Sequence, residues 1–532
     1  MRKTIGTALI LAFGLVAHAA ADDAADDADY EARVRDQLQR VDESIAAGRF
    51  KDNWESLRQF RYPEWFRDAK FGIFIHWGPY SVPAFANEWY SRNMYVPGNA
   101  AYDHHRDVYG PQSTFGYKDF IPMFKAERFD PDEWIDLFAR AGARYVMPVA
   151  EHCDGFAMYA TDLSEWDASE MGPKRDVLGE LAKATRARGL HFALSSHRAE
   201  HWWWYYMGRT FDSDVNDPRN DGLYGPAAPM GLPADPPASW PESGQLQLWM
   251  PPDKDFLNDW LARSSELVEK YRPELVYLDW WTSAPLFEPL MRKFAAYYYG
   301  EAEAKSFGQV AIAYKGGQFV EGTALFDMER GTMDEKRLTP WQSDTSVSIR
   351  SWGYVQDDNY RTAKSLVGDL IDIVSKNGNL LLNVGPRADG VIPDEAQAVL
   401  LEMGAWLKVN GEGIFESRPF HYYGEGPTRS GAERVPGQVE AAATRRYTPE
   451  DFRFTTRDGA VYIFGLQYAD TGRALIKTLY AGTPYLERPI AAVRLLGHGE
   501  MSWQQTGLGL EVRLPSSPTG DMPYVLKLTF RE

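Results

Sequence analysis

The sequence contains almost no cysteine and no surplus of basic residues. Its 532 residues include a single cysteine, Cys153, which excludes an intrachain disulfide and a metal site built from several cysteines. Acidic residues outnumber basic ones by 75 to 57, which gives a formal net charge of −18. This charge argues against nucleic acid or an anionic membrane surface as a partner. Because disulfides and cysteine metal sites are excluded, the stability of the fold must come from its apolar core.

Several motifs of cofactor-binding and hydrolytic proteins are also missing. No G-x-G-x-x-G follows a predicted strand and no P-loop is present, so we expect no nucleotide and no other cofactor. Neither a G-x-S-x-G nor an H-E-x-x-H motif occurs, which argues against other common hydrolase classes. Beyond the first 21 residues no apolar run approaches the length of a membrane span, so no membrane partner is expected.

Residues 1–21 have the features of a signal peptide. Arg2 and Lys3 precede a mostly apolar stretch, Ile5–Val16, that is too short to span a bilayer. Small-residue cleavage sites follow at residues 17–21, and an acidic run begins at Asp22. No cysteine follows the apolar stretch to take a lipid, which argues against a retained anchor. We predict export to the periplasm or the extracellular space, with the mature chain starting near Ala20 or Asp22.

Residues 62–415 alternate short apolar runs with amphipathic stretches. Such alternation predicts parallel strands separated by helices. Eight runs over this length favour a (β/α)₈-like barrel, and an open α/β sheet is the alternative. The predicted strands are Phe71–Trp77, Tyr145–Ala150, His191–Ser196, Leu275–Asp279, Val310–Tyr314, Ala324–Met328, Trp341–Val347 and Asn379–Val384. The predicted helices are Asp130–Ala143, Val177–Arg188, Asp255–Tyr271, Leu286–Ala304 and Ala363–Lys376.

Two further regions flank this catalytic-domain candidate, and one insert interrupts it. Residues 22–61 are predicted to form an exposed N-terminal helical arm, with its helix over Tyr30–Ala47, and a connector. Residues 416–532 contain short, partly alternating segments separated by turn residues, which predicts an antiparallel β-sandwich. Residues 203–254 contain nine prolines and little periodicity. A loop of this length after a strand is either part of a substrate wall or a surface insertion without a role.

The stretch Pro273–Trp281 contains a candidate active-site carboxylate. The apolar run Leu275–Leu278 ends in Asp279, and two tryptophans follow. Parallel strands surrounded by helices place their chemistry at their carboxyl ends, so Asp279 is a candidate active-site residue. The alternative is an Asp that caps the next helix or forms a salt bridge in a loop.

Other predicted strands also end in polar residues. His76 ends the first strand, residues 151–156 follow the second, and Glu329 ends the sixth, while Glu88 and Trp89 lie in a loop after the first. A glycoside hydrolase needs such a set, because two carboxylates flank the bond that is cleaved and aromatic rings pack on the sugar. Any one of these residues could instead be a capped turn or a satisfied core group. Together they favour a carbohydrate-active site.

At this point the sequence resembles the α-L-fucosidases of glycoside hydrolase family 29. The resemblance covers roughly residues 60–415, with the motifs in family order. It depends on Trp65, Phe66 and Lys70 together with Phe71–Ser81, Asn87–Tyr90, His152–Phe156, Leu275–Asp279, Ser351–Tyr354 and Asn377–Pro386. It implies a retaining exo-glycosidase that removes terminal α-L-fucosyl residues from an oligosaccharide through a covalent glycosyl-enzyme intermediate.

The resemblance also implies roles for the two carboxylates. Asp279 matches the nucleophile. Glu329 matches the place where some members carry the acid/base, whereas others carry it at a position that is Gln342 here, which cannot supply a titratable proton. Glu335, in the following polar loop, is the alternative acid/base. The acid should have a raised pKa if it is to donate a proton.

Seven residues are implied in sugar binding, and three of them depart from the family pattern. His76, Glu88, Trp89 and His152 match the pattern. Cys153 replaces a histidine, Tyr277 a tryptophan and Lys315 an arginine. These changes leave open whether the preferred sugar is fucose or a close relative such as L-galactose. A non-catalytic carbohydrate-binding protein on the same scaffold is the alternative from another class.

Two more histidines could contribute to a substrate subsite. His197 and His201 precede three consecutive tryptophans. Together with His152 they could suggest a metal site, but zinc-type spacing of His, Asp and Glu is absent and the implied chemistry needs no metal. We therefore predict no metal. The sequence leaves the oligomeric state open.

Overall fold

A computed structural model describes residues 28–229, 251–428, 446–516 and 520–532. The predicted signal peptide, residues 1–21, lies outside these ranges, as do residues 230–250 of the proline-rich insert. The prediction for the leader therefore stays a prediction.

Eight parallel strands form a closed barrel in the order of the chain, β1 to β8. The barrel closes where β1 pairs in parallel with β8, with Phe71 opposite Leu380 and Ile75 opposite Val384. The predicted barrel is confirmed and the open sheet is excluded. The strands are β1 Phe71–Ile75, β2 Tyr145–Glu151, β3 His191–Ser196, β4 Leu275–Leu278, β5 Ala311–Tyr314, β6 Leu325–Glu329, β7 Trp341–Ser346 and β8 Gly378–Val384.

Helices cover the outside of the barrel, and the five predicted ones are present. The helix Pro131–Ala141 begins as its sequence indicates, because the Asp130 side chain accepts hydrogen bonds from the backbone N–H groups of Asp132 and Glu133. The other long helices are 28–47, Val177–Ala187, Lys254–Tyr271, Glu288–Ala304, Ala363–Ser375 and Asp394–Asn410. Shorter α-helices are Trp54–Leu57, Glu64–Ala69, Tyr90–Asn93, Ala100–Val108 and Asp221–Tyr224. None of the helices in the described ranges is long and apolar enough to cross a membrane.

The N-terminal helix packs on the barrel domain and is not the exposed arm that we predicted. Val34 and Val41 are buried, and Gln37 donates a hydrogen bond of 3.1 Å to the Ser265 hydroxyl on the helix Lys254–Tyr271. The side chain of Tyr30 also donates to a carboxylate of that helix. Apolar residues recur every three or four positions along residues 34–45, which gives the helix one apolar face.

Two antiparallel sheets follow the barrel and confirm the predicted β-sandwich. One sheet has the strand order β14-β13-β17-β11-β10-β9 and the other β12-β16-β15. The bounds are β9 Arg418–Glu425, β10 Phe452–Arg457, β11 Ala460–Gly465, β12 Arg473–Ile476, β13 Ile490–Leu495, β14 Gly499–Glu500, β15 Trp503–Thr506, β16 Gly509–Arg513 and β17 Tyr524–Phe530.

A buried ionic cluster joins the sandwich to the barrel domain. Asp372, on the helix Ala363–Ser375, is fully buried and accepts hydrogen bonds from Arg453 Nε of β10 at 2.6 Å and from Lys376 Nζ at 2.9 Å. The Thr332 hydroxyl donates a third bond at 2.8 Å. A buried carboxylate needs such partners. The sandwich therefore supplies part of the charge compensation for an aspartate of the barrel domain.

Candidate active site

The carboxyl ends of the barrel strands bring most of the predicted site residues together. Asp279 directly follows β4, Lys315 follows β5 and Glu329 is the last residue of β6. His76 and His152 follow β1 and β2 in the same way. Because all eight strands are parallel, these side chains meet at one end of the barrel.

Lys315 lies between the two predicted catalytic carboxylates. Its Nζ atom is 3.0 Å from Oδ1 of Asp279 and 3.0 Å from Oε2 of Glu329. Those two oxygens are therefore no more than about 6 Å apart, because each lies 3.0 Å from the same nitrogen. This limit is compatible with the spacing of about 5–5.5 Å between the carboxyl groups of retaining glycosidases.

Two cationic or hydrogen-bonding side chains keep Asp279 ionised. Burial by itself raises the pKa of Asp279, but the Lys315 ammonium and His197 outweigh burial and hold this pKa well below its usual range. The His197 contact joins Nδ1 to Oδ2 of Asp279 at 3.1 Å. An ionised carboxylate at this position has the charge state that a nucleophile requires.

Glu329 does not have the raised pKa that we expected of an acid. Burial raises the pKa of Glu329, yet the Lys315 ammonium more than offsets this effect, so the pKa lies below its usual value. The reason is geometric, since Lys315 contacts Glu329 as closely as it contacts Asp279. Both carboxyl groups are therefore ionised around one cation.

Two further aspartates, Asp327 and Asp344, lie beneath this cation, and neither was predicted from the sequence as a site residue. Asp344 Oδ2 is 3.7 Å from Lys315 Nζ and accepts a 3.2 Å hydrogen bond from the Tyr277 hydroxyl. Burial, and then the neighbouring Asp344, raise the pKa of Asp327 well above its usual range, so the pair holds a proton. A signal was present: Asp327 and Glu329 alternate with apolar residues on β6, and Gln342 and Asp344 lie two positions apart, on one face of β7.

Three imidazoles form a buried cluster beside Asp279. One nitrogen from each of His76, His152 and His197 lies within 4.8 Å of the others, and all three residues are buried. His76 Nδ1 is 2.8 Å from Oδ1 of Asn383, and His197 Nε2 is 2.6 Å from the Ser195 hydroxyl. These contacts orient the rings.

His201 does not join the cluster. Its Nδ1 lies 3.0 Å from the backbone oxygen of Cys153. Of the three histidines considered together in the sequence, His152 and His197 belong to the cluster and His201 does not, whereas His76 does.

Glu88 and Trp89 form part of the wall of the site. Oε2 of Glu88 accepts hydrogen bonds from the Ser351 hydroxyl at 3.0 Å and from the Trp352 backbone N–H at 2.9 Å, which fixes the carboxylate. Trp89 packs against Trp204 with ring centroids 4.8 Å apart, and Trp204 also approaches His152 at 6.1 Å. The described part of the insert after β3 therefore borders the site, as a substrate wall would.

Cys153 and Glu200 are buried close to Asp279. Burial, and then the neighbouring carboxyl groups of Glu200 and Asp279, raise the pKa of the Cys153 thiol well above its usual value. Glu200 was not identified from the sequence. It is fully buried, and its Oε1 accepts a 2.9 Å hydrogen bond from the backbone N–H of Trp281, two residues after the nucleophile candidate. Burial, and then the Asp279 charge, raise the pKa of Glu200 far above its usual range.

The alternative acid/base, Glu335, lies at the surface beside strand β9. It is exposed, and its carboxylate lies close enough to Tyr423 of β9 to contribute, after burial, to the raised pKa of that phenol. Gln342 is buried inside the barrel and donates a 3.0 Å hydrogen bond to Asp327. Of the three positions considered for the acid/base, Glu329 is the one in contact with the Lys315–Asp279 pair.

Comparisons with known proteins agree with this arrangement. The family model described as Alpha-L-fucosidase matches residues 37–412. Tissue alpha-L-fucosidase of Rattus norvegicus is 30% identical over 503 residues, covering 91% of this chain and 94% of the relative. Plasma alpha-L-fucosidase of Homo sapiens is 30% identical over 496 residues, covering 90% and 91%. The solved structure of Thermotoga maritima alpha-fucosidase in complex with fucose superposes with a TM-score of 0.69 at 27% identity, covering 90% of this chain and 100% of that one. The closed parallel barrel, the carboxylates at its mouth and these matches together show that the chain belongs to the α-L-fucosidase family of glycoside hydrolases.

Proposed function

We propose that the protein is an exported exo-glycosidase that hydrolyses terminal α-L-fucosyl residues of glycans with retention of configuration. The observation that supports this most strongly is the pair Asp279 and Glu329, whose oxygens lie no more than about 6 Å apart around Lys315. A retaining mechanism needs two carboxyl groups at such a spacing, one as nucleophile and one as acid and then base.

In the first step Asp279 attacks the anomeric carbon while Glu329 protonates the leaving oxygen. Asp279 is ready for this step because Lys315 and His197 keep it ionised. Glu329 must take up a proton when substrate binds, so its contact with Lys315 has to weaken in the complex. Exclusion of water by the sugar favours this protonation, because a buried carboxyl group without a cation partner has a raised pKa.

In the second step Glu329 removes a proton from the water that attacks the glycosyl ester. The ester at Asp279 carries no charge, so Lys315 is left with Glu329 and Asp344 as its carboxylate neighbours. An ammonium that interacts more strongly with Glu329 favours the ionised base. Lys315 thus helps each carboxylate in the step in which that carboxylate must be charged.

The sugar would be held by the buried polar wall of the site. His76, His152, Glu88 and Trp89 surround the Asp279 end of the barrel, and their side chains provide hydrogen-bonding groups and one flat apolar face. The Cys153 thiol is a weak hydrogen-bonding group. A sugar that matches L-fucose at most hydroxyls, such as L-galactose, is the alternative substrate.

A substrate screen with a stereochemical readout tests this function. Purified protein is incubated with aryl α-L-fucoside, aryl α-L-galactoside and other aryl glycosides, and the first-formed sugar anomer is followed by NMR. We expect fastest cleavage of the fucoside and initial release of the α-anomer. Initial release of the β-anomer would refute retention, and binding of fucose without any turnover would favour a carbohydrate-binding protein. Asp279→Asn, prepared identically, controls for host glycosidases.

Export rests on the sequence of residues 1–21 and has its own test. Expression of the full chain in a bacterial host, followed by fractionation and mass spectrometry of the N-terminus, should recover a form that begins near Ala20 or Asp22 outside the cytoplasm. An intact Met1 on protein from the periplasm or the medium would contradict the predicted cleavage.

A further inference from the structure

The imidazole cluster has the composition and geometry of a transition-metal site. His76, His152 and His197 come from the ends of β1, β2 and β3, and one nitrogen of each lies within 4.8 Å of the others. A four-coordinate ion with bonds of about 2.0 Å holds neighbouring ligand atoms about 3.3 Å apart. Small rotations of three side chains on adjacent strands would close the remaining distance.

A carboxylate oxygen lies close to one member of this cluster. Oδ2 of Asp279 is 3.1 Å from Nδ1 of His197. The other oxygen of Asp279, Oδ1, is the one that Lys315 contacts. Oδ2 can therefore serve as the fourth ligand while the lysine keeps its bond. An ion would then replace the proton between His197 and Asp279.

The groups around the cluster are those that metal-binding histidines use. A ligating imidazole normally donates its second N–H group to an oxygen, which fixes its orientation. His76 has the Asn383 side-chain oxygen for this purpose at 2.8 Å, and His197 has the Ser195 hydroxyl at 2.6 Å. Since a hydroxyl can donate or accept, Ser195 permits the tautomer in which Nδ1 of His197 is the ligand.

His152 supplies an independent observation. Its Nδ1 is buried and has no hydrogen-bond partner among the described residues. An unsatisfied buried nitrogen has a free-energy cost that binding of a ligand can remove.

We propose that His76, His152, His197 and Oδ2 of Asp279 bind a divalent transition-metal ion such as Zn²⁺, and that the ion and the sugar exclude each other. The competition rests on the proposed function, which places the sugar against the same side chains. The ion would inhibit, because it occupies the nucleophile. The Lys315 ammonium, 3.0 Å from Asp279, opposes the ion and limits its affinity.

Calorimetric titration of tag-free, chelator-treated protein with Zn²⁺ tests the site without any substrate. We expect one ion per chain, and at least a tenfold weaker affinity, on the order of the loss for altered metal sites, in His76→Gln and in His197→Gln. Co²⁺ should give the visible absorption of a four-coordinate ion. The control is His191→Gln, because His191 begins the same strand that precedes His197 but bonds to Glu274 instead.

The outcomes separate the metal site from the proposed function. Absence of saturable Zn²⁺ binding, or equal affinity in wild type, His76→Gln and His197→Gln with all three folded by circular dichroism, would overturn the site. Added L-fucose should weaken Zn²⁺ binding, and unchanged binding at saturating L-fucose would overturn the competition. Binding of Zn²⁺ by a protein that cleaves no fucoside would support the site while the proposed function fails.

Discussion

Asp279 and Glu329 accept hydrogen bonds from the same nitrogen atom, Nζ of Lys315, at 3.0 Å each. The charge of the nucleophile and the charge of the acid/base candidate are therefore not independent. A change at Lys315 should alter the pKa of both groups, although Lys315 itself is neither nucleophile nor acid. Lysine performs this role with a single point charge, where an arginine would use its planar fork.

Removal of the Lys315 charge should shift the pH dependence of the enzyme. In Lys315→Met the pKa of Asp279 rises, because its largest stabilising partner is lost while burial remains. The nucleophile must be ionised, so the acidic limb of the kcat/KM profile should move to higher pH. The profile is measured with an aryl α-L-fucoside.

The matched variant is Lys315→Arg, which keeps the positive charge. It should leave the acidic limb close to that of the wild type, whatever its effect on the rate. An unchanged acidic limb in Lys315→Met would mean that Lys315 does not control the ionisation of Asp279.

Replacement of the nucleophile should abolish turnover and leave the fold intact. We expect Asp279→Asn to lose at least about a hundredfold in kcat, since an uncharged amide cannot form the covalent intermediate. The thermal unfolding midpoint shows whether the variant is folded. Asp162→Asn is the control, because Asp162 is exposed and forms its ion pair with Lys270 outside the site. Retention of activity in Asp279→Asn would require another nucleophile.

Azide should identify the acid/base. Glu329→Ala should slow aryl fucosides with poor leaving groups far more than those whose leaving group needs no proton. Azide attacks the glycosyl-enzyme without proton removal, so it should restore turnover and give a glycosyl azide of retained configuration. The products are identified by NMR.

Glu335→Ala is the comparison variant for this experiment. It should behave like the wild type, because Glu335 is exposed beside Tyr423. Rescue of Glu335→Ala by azide, with Glu329→Ala near wild-type activity, would reverse the assignment. Rescue of neither folded variant would place the acid in another segment.

Glu200 should make the stability of the fold depend on pH. Its pKa is raised well above the usual range by burial and then by the Asp279 charge, so the folded protein holds this proton at pH values where the unfolded chain, with a pKa of about 4.3, has lost it. The stabilising contribution is thus complete in acid and is lost as pH rises. Glu200→Gln imitates the protonated form and keeps an oxygen for the Trp281 N–H group.

The measurement is the free energy of unfolding of wild type and Glu200→Gln between about pH 5 and pH 8. We expect the variant to gain stability relative to the wild type as pH increases. Other buried acids, such as Asp154 with a pKa raised by burial to about 7, are present in both proteins and cancel in the difference. Glu402→Gln, on an exposed helix position, is the control. A difference that does not change with pH would mean that Glu200 is ionised in the folded protein.

The barrel could be predicted because each of its strands appears in the sequence as a short, local apolar run. Each apolar run, such as Leu275–Leu278, is bounded by polar or turn residues, and Asp279 stands out at the end of its strand. The same holds for His76 and Glu329. The position of Lys315 after β5 could also be predicted, but its equal distance to two carboxylates could not, because that depends on how three strands are staggered in the closed barrel.

Glu200 was missed because its role depends on burial by a distant segment. Glu200 lies in a segment with no apolar period, and only the packing of the turn after β4 shows that its carboxyl group is enclosed. The exposure of the N-terminal helix was misjudged for a similar reason. Its apolar face is visible in the sequence, whereas its partner, the helix Lys254–Tyr271, is more than 200 residues away.

The contact between Asp372 and Arg453 has a consequence for the size of the smallest active protein. Asp372 belongs to a barrel helix, but one of its two cationic partners comes from β10 of the sandwich. A barrel expressed without the sandwich would keep this carboxylate and lose part of its charge compensation, together with the apolar contacts of the interface. Loss of one partner of a buried ion pair typically costs about 3–5 kcal/mol. We therefore expect a barrel expressed without the C-terminal sheets to be less stable than the whole protein.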